Sequence, residues 1–147
     1  MRAALVRGPA LTFALSGLRS YLVLVRELPH AAWWPLAIYK IGKAKAVDAV
    51  FEPQVGGRRY ELGDDGSTCN WGRVLVWHPH SRLVLSWDIN ADWQPDPARN
   101  TEIEVRFIPN GENSTRVEFE HRRLDRYGAR RDRCGASSIL KVIGDAC

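Results

Sequence analysis

Cysteine is scarce in this 147-residue chain: Cys69, Cys134 and Cys147 are the only three. None forms a C-x-x-C pair, so neither a disulfide framework nor a zinc module fits the spacing. Long apolar runs are missing too, and nothing approaches the roughly 20 residues that cross a bilayer. Lysine is rare, four against 17 arginines, a bias that points to a GC-rich bacterial genome. Low-complexity tracts are also missing. With 45% hydrophobic and 26% charged residues, the composition excludes a disordered, collagenous or coiled-coil chain and suits one globular domain over 1–147.

The net charge of +4 is unevenly placed. Residues 1–30 carry +3, residues 31–121 carry −3, residues 122–133 carry +4, and the last 14 are neutral. A nucleic-acid binder concentrates basic groups and aromatics on one folded face, a pattern this chain lacks. Arg122 to Arg133 therefore reads as a solvated basic stretch, and neither nucleic acid nor membrane insertion is expected. The apolar stretch Pro9–Leu18 after Arg2 and Arg7 loosely outlines a secretory signal. Arg19 and Arg26 follow it closely, however, and no prompt small-x-small cleavage site appears. The expectation is a strand and a helix of the fold, in a cytoplasmic protein.

From Ala46 onward the periodicity is two. Val47, Ala49 and Phe51 alternate with Asp48, Val50 and Glu52. Arg58 to Leu62 forms a short strand closed by Gly63-Asp64-Asp65-Gly66, a hairpin signal. Thr68 to Trp77 is apolar on both faces, as in a central strand. The chain turns at His78-Pro79-His80-Ser81, where proline fixes φ and cannot donate to a ladder. Then Leu83, Leu85, Trp87 and Ile89 share one face, as do Ile103, Val105 and Phe107, and finally Val117 and Phe119. The opposite face carries charges of both signs, so Glu102/Glu104 and Glu118/Glu120 are expected in cross-strand pairs with arginine rather than in acid–base catalysis. About six antiparallel strands with one apolar face require a cover, and the sequence offers helices only at its ends.

A series of short motifs carries a resemblance. Trp33-Trp34-Pro35, Ile41-Gly42-Lys43-Ala44, Phe51-Glu52-Pro53, Val55-Gly56-Gly57-Arg58 and Tyr60-Glu61 come first. Asp65-Gly66-Ser67, Trp71-Gly72-Arg73-Val74, Pro79 with Arg82-Leu83, and Leu85-Ser86-Trp87 follow in order. The chain resembles the SRPBCC (START-like) superfamily, in the branch related to the activator of the heat-shock-protein-90 ATPase. The likeness is strongest over 33–128, with residues 1–32 and 129–147 divergent. It implies an α+β helix-grip fold, a curved antiparallel sheet of six or seven strands wrapped around a C-terminal helix. Gly135 and Gly144 argue that this helix is short here.

Between sheet and helix the resemblance implies an apolar cavity that holds a small hydrophobic molecule. Trp33, Trp34, Phe51, Tyr60, Trp71, Trp77, Leu85, Trp87, Phe107 and Phe119 are the residues expected to line it. For the tryptophans, core packing and cavity lining remain equal alternatives. Trp93 lies at a pocket mouth or in plain exposure. Arg58, Arg59 and Arg73 read as solvated or strand-paired, with anchoring of an acidic head group as the competing reading. His78, His80 and His121 are expected as surface groups rather than metal ligands. Cys69 lacks an evident activating base, so no catalytic residue, metal or cofactor is assigned. The alternative function is a co-chaperone-like module that binds a chaperone through its charged outer strands.

Overall fold

In the computed structural model, the described residues are 11–13, 36, 40–109 and 115–130. Seven strands run along them: β1 (Leu11–Phe13), β2 (Ala46–Phe51), β3 (Arg58–Gly63), β4 (Thr68–His78), β5 (Arg82–Trp87), β6 (Thr101–Pro109) and β7 (Thr115–Arg122). They form one antiparallel sheet in the order β1-β7-β6-β5-β4-β3-β2. From β2 to β7 each strand pairs with its sequence neighbour, and β1 closes onto β7 with Leu11 opposite Val117. Two 3-10 segments, Pro97–Arg99 and Leu124–Arg130, are the helical elements among the described residues. The expected closing helix beyond Arg130 lies outside them, as do the expected helix before Ala32 and the pair Trp33–Trp34.

The turns follow local chemistry. Between β3 and β4, the Gly63 N–H donates to the Ser67 carbonyl and the Asp65 carboxylate accepts from the Ser67 N–H at 2.9 Å. Gly66 has φ of 80° there, a conformation open to glycine at little cost. Three register shifts bend the sheet, at Ala46/Asp48, Arg59/Tyr60 and Val74/Val76. The second places Trp71 as an extra residue between the pairs Arg59↔Gly72 and Tyr60↔Asn70. At Gly72 a side chain would collide with the Ser86 carbonyl, so glycine permits the close approach of β4 to β5 at this bulge.

Directly paired residues share a face, so the register sorts the side chains. One row across the inner face is Trp77, Leu83, Val105 and Phe119, and the next is Val74, Leu85, Ile103 and His121. Trp87 and Thr101 begin a third row. The buried core lies on this face, with Leu36 and Tyr127 packed onto it. The opposite rows hold Arg82, Arg106 and Glu118, then Val84, Glu104 and Glu120, then Ser86, Glu102 and Arg122. This alternation of apolar and charged faces matches the expected meander.

Candidate functional site

The inner face is apolar by sequence, yet it carries a polar group at one end. Arg59 on β3 is only 8% exposed. Its guanidinium stands 5.2 Å from the Trp87 ring and 5.9 Å from the Trp71 ring, held by two indoles. Its Nε has no hydrogen-bond partner, and no ion pair joins it to a described carboxylate. Burial pushes its pKa down to about 10, with the Asp88 charge opposing that fall. Burial raises the Asp88 carboxyl in turn, against Ser86, Arg59 and Asn100.

Glu61, two residues along the same face, is also buried but fully engaged. The Trp71 indole N–H donates to its Oε2 at 3.1 Å, and the Ile41 N–H does so at 2.9 Å. The Gly42 N–H donates to its Oε1. This carboxylate therefore fixes the Trp71 ring and ties the segment before β2 to the sheet. Cys69 lies opposite Glu61, and burial raises its thiol pKa, followed by the effect of the Glu61 charge. A raised pKa is the reverse of what an activated nucleophile needs.

The third group is His121 on β7, 2% exposed rather than at the surface as expected. Its Nε2 lies 2.6 Å from Thr101 Oγ1, which lies 3.2 Å from the Tyr127 hydroxyl. Tyr127 donates to the Ile89 carbonyl at 2.7 Å. The imidazole meets Trp87 edge-on at 6.4 Å between centroids, and Trp93 meets the same indole edge-on at 6.4 Å. His121 Nδ1 has no hydrogen-bond partner. Burial pushes its pKa down to about 4, so the ring is neutral near pH 7. Arg59 over the Trp87 ring and His121 in T-shaped contact with it thus belong to one cluster.

Of the expected lining residues, Phe51, Trp71, Trp77, Leu85, Trp87, Phe107 and Phe119 fall on the inner face. Phe51 and Trp77 pack together with centroids 5.6 Å apart, Phe51 lying directly opposite Arg59 in the register of β2 and β3. Tyr60 does not join them. It alternates with the inward Arg59 and Glu61, stands on the outer face, and lies 4.8 Å beneath the Arg58 guanidinium. Trp33 and Trp34 lie outside the described residues. Trp93 is half-buried, packed on Trp87. Among the described residues no group of three or more His, Cys, Asp or Glu side chains is placed to hold a metal ion.

The outer face supplies the cross-strand pairs expected of Glu102 and Glu104, whereas Glu118 pairs with Arg116 on its own strand. Glu104, 1% exposed, accepts from Arg82 at 2.5 Å, from Arg106 at 2.9 Å and from Arg122 at 3.0 Å. Burial works against its ionisation, but the Arg82 hydrogen bond and the Arg122 and Arg106 charges outweigh it and hold the carboxyl below its usual range. Arg123 pairs with Glu102 at 2.7 Å, so the first two arginines of the basic stretch are engaged with the sheet rather than merely solvated.

Comparisons with known proteins agree with this geometry. No curated protein matches the chain. Among solved structures, it is similar to an anthrahydroquino-γ-pyrone synthase, Txn09, described as complexed with SUM. The two are 34% identical with a TM-score of 0.61, over 95% of this chain and 94% of that one. It is also similar to CalC from Micromonospora echinospora, described as a self-sacrificing resistance protein. Here the identity is 28% and the TM-score 0.58, over 96% and 92% of the two chains. A Rhodobacter sphaeroides protein at 22% identity and TM-score 0.55, over 95% of this chain and 91% of that one, shares the fold. The sequence profile described as Activator of Hsp90 ATPase homolog 1-like protein matches residues 21–143, and the chain belongs to that family.

Proposed function

We propose that this protein binds a small hydrophobic molecule against the inner face of its sheet, with Arg59 as the polar anchor. The observation that carries this reading is the buried Arg59 guanidinium, over the rings of both Trp71 and Trp87 with an Nε donor that no group of the described residues accepts. Burying a cation without a hydrogen-bonded counterpart is costly, and folded proteins retain such groups chiefly where they act on something. Aromatic walls with one or two polar groups are the usual makeup of a small-molecule site. An apolar molecule carrying an oxygen acceptor suits this combination. The relative described as a pyrone synthase complexed with SUM supports an encounter with small molecules. Binding without turnover is the reading adopted, in a cytoplasmic bacterial protein.

A co-chaperone role would use the charged outer face. There the described Glu104 and Glu102 carboxylates are already paired with arginines of the same chain, which favours the small-molecule reading.

Native mass spectrometry of the purified chain and of Arg59→Met tests the proposal. The wild type is expected to carry a small adduct and the variant to retain it at least tenfold less. Folding should survive in the variant, because methionine keeps the apolar contacts of the arginine stem and removes a buried charge that no ion pair among the described residues compensates. Equal retention by both proteins removes Arg59 as the anchor, and a wild type without any adduct that also ignores added apolar probes overturns the binding function.

A further inference from the structure

We infer that His121 Nδ1 is a hydrogen-bond acceptor for a hydroxyl or N–H group of the bound molecule, so that the site selects an apolar ligand carrying a donor as well as the acceptor addressed by Arg59. The inference rests on the ligand-binding reading above and extends it to the ligand's chemistry.

The argument follows the protons. Tyr127 spends its hydroxyl proton on the Ile89 carbonyl at 2.7 Å. Its oxygen can then only accept in the 3.2 Å contact with Thr101, so the Thr101 hydroxyl donates to Tyr127. With that proton spent, Thr101 Oγ1 accepts across the 2.6 Å contact from His121, which requires the proton on Nε2. The neutral imidazole has one proton, so Nδ1 is left as a bare lone pair. That nitrogen is buried, has no partner among the described residues, and belongs to a ring whose neighbour on the inner face is Trp87. A backbone carbonyl at one end therefore sets the tautomer at the other, through two hydroxyls. Water-separated contacts would leave the tautomer free; this direct relay does not.

The acceptor and the Arg59 donor border the same indole, Arg59 5.2 Å over its ring and His121 in T-shaped contact with it at 6.4 Å between centroids. A flat molecule lying along Trp87 would meet both. An acceptor lone pair buried without a partner penalises any ligand that lacks a donor, which is how a buried polar group produces selectivity.

Two measurements test this. In ¹⁵N-labelled protein without ligand, two-dimensional imidazole spectra should show His121 Nε2 as the protonated, pyrrole-type nitrogen and Nδ1 as the pyridine-type one. The reversed tautomer overturns the inference whatever binds. The second measurement compares 2-naphthol with 2-fluoronaphthalene, close in shape but lacking the donor, by quenching of tryptophan fluorescence. The ratio of their affinities should fall about tenfold in His121→Phe relative to wild type, as expected for one hydrogen bond to a buried acceptor. An unchanged ratio with both probes still bound overturns the His121 subsite and leaves the binding function standing, whereas neither probe binding the wild type counts against both. If His121→Phe does not fold, the Nδ1 resonance of the wild type decides. Movement on adding 2-naphthol but not 2-fluoronaphthalene supports the subsite, and no movement at saturation overturns it.

Discussion

The two faces of the sheet bury ionisable groups to nearly the same depth and treat them in opposite ways. On the outer face Glu104 is enclosed by Arg82, Arg106 and Arg122, so its buried charge is neutralised within the sheet. On the inner face Arg59 and His121 each keep an atom with no partner among the described residues, as Arg122 Nε does on the outer face, but the Arg59 charge itself has no ion pair among them. Burial alone does not distinguish a structural group from one available to a ligand. Charge compensation is the clearer contrast: Glu104 has three cationic partners, whereas Arg59 has no ion pair among the described residues, and an unpaired buried group costs roughly 1–3 kcal/mol that folding must absorb. The outer cluster is therefore assigned to stability, and the inner one is where the proposed binding would act.

The most disruptive way to probe this contrast is Glu104→Ala. The side chains of Arg82, Arg106 and Arg122 left behind are 38%, 46% and 30% exposed, so water recovers part of their charge and the loss is about 1–3 kcal/mol. Urea unfolding should show a loss of that order while the surviving folded protein retains its ligand undiminished. A loss of retention at saturating folded protein would mean that the two faces are not independent.

The inner face should reveal itself through pH. The unperturbed imidazole value of 6.5 falls to about 4 on folding of His121. Between those values the unfolded chain binds the proton and the folded one does not, so stability is full above about pH 6.5 and declines as pH falls toward 4. The decline contributed by this residue is on the order of 3 kcal/mol by the conversion of pKa shifts to free energy. Asp88, whose pKa is raised, contributes in the reverse direction, gaining stability as it protonates. Glu104, whose pKa is lowered, adds its own loss toward the acid end. The difference between wild type and His121→Gln across pH 4–7 isolates the histidine. A pH-independent difference would contradict its buried, neutral state.

Much of the sheet was legible in the sequence, because strands β5 to β7 alternate strictly and their registers keep Leu83, Leu85, Ile103, Val105 and Phe119 on one face. The polar part of the site was not. In β3 the aromatic Tyr60 and apolar Leu62 suggest the inward positions, whereas Arg59 and Glu61 occupy them. A strand shifted by one residue exchanges all its faces, and inward charges invert the only signal that sets the shift. The bulge that inserts Trp71 is equally hidden, since Gly72 announces a close approach without saying which neighbour turns inward. His121 follows Phe119 at a spacing of two on an inward row, so its burial was available from periodicity; its hydroxyl partners Thr101 and Tyr127 come from distant segments. The closing helix, expected from the resemblance, falls beyond the described residues.

The finest test stays on the outer face, where charge and burial can be separated. Arg116 and Glu118 form an ion pair at 3.1 Å with side chains 45% and 34% exposed, a few residues from the enclosed Glu104. An exposed pair gains little in high dielectric and pays side-chain entropy to hold its geometry, so such pairs contribute about 0–1 kcal/mol. Glu118→Ala should therefore shift the urea midpoint barely beyond error, and less still in high salt, because screening weakens exposed charges most. If burial is what makes the Glu104 network stabilising, the two alanine variants will differ by several-fold in their cost although both remove one carboxylate from the same charged face. A comparable cost for Glu118→Ala would instead mean that the outer charges act as one connected network, with the arginines of β6 and β7 shared among all of its carboxylates.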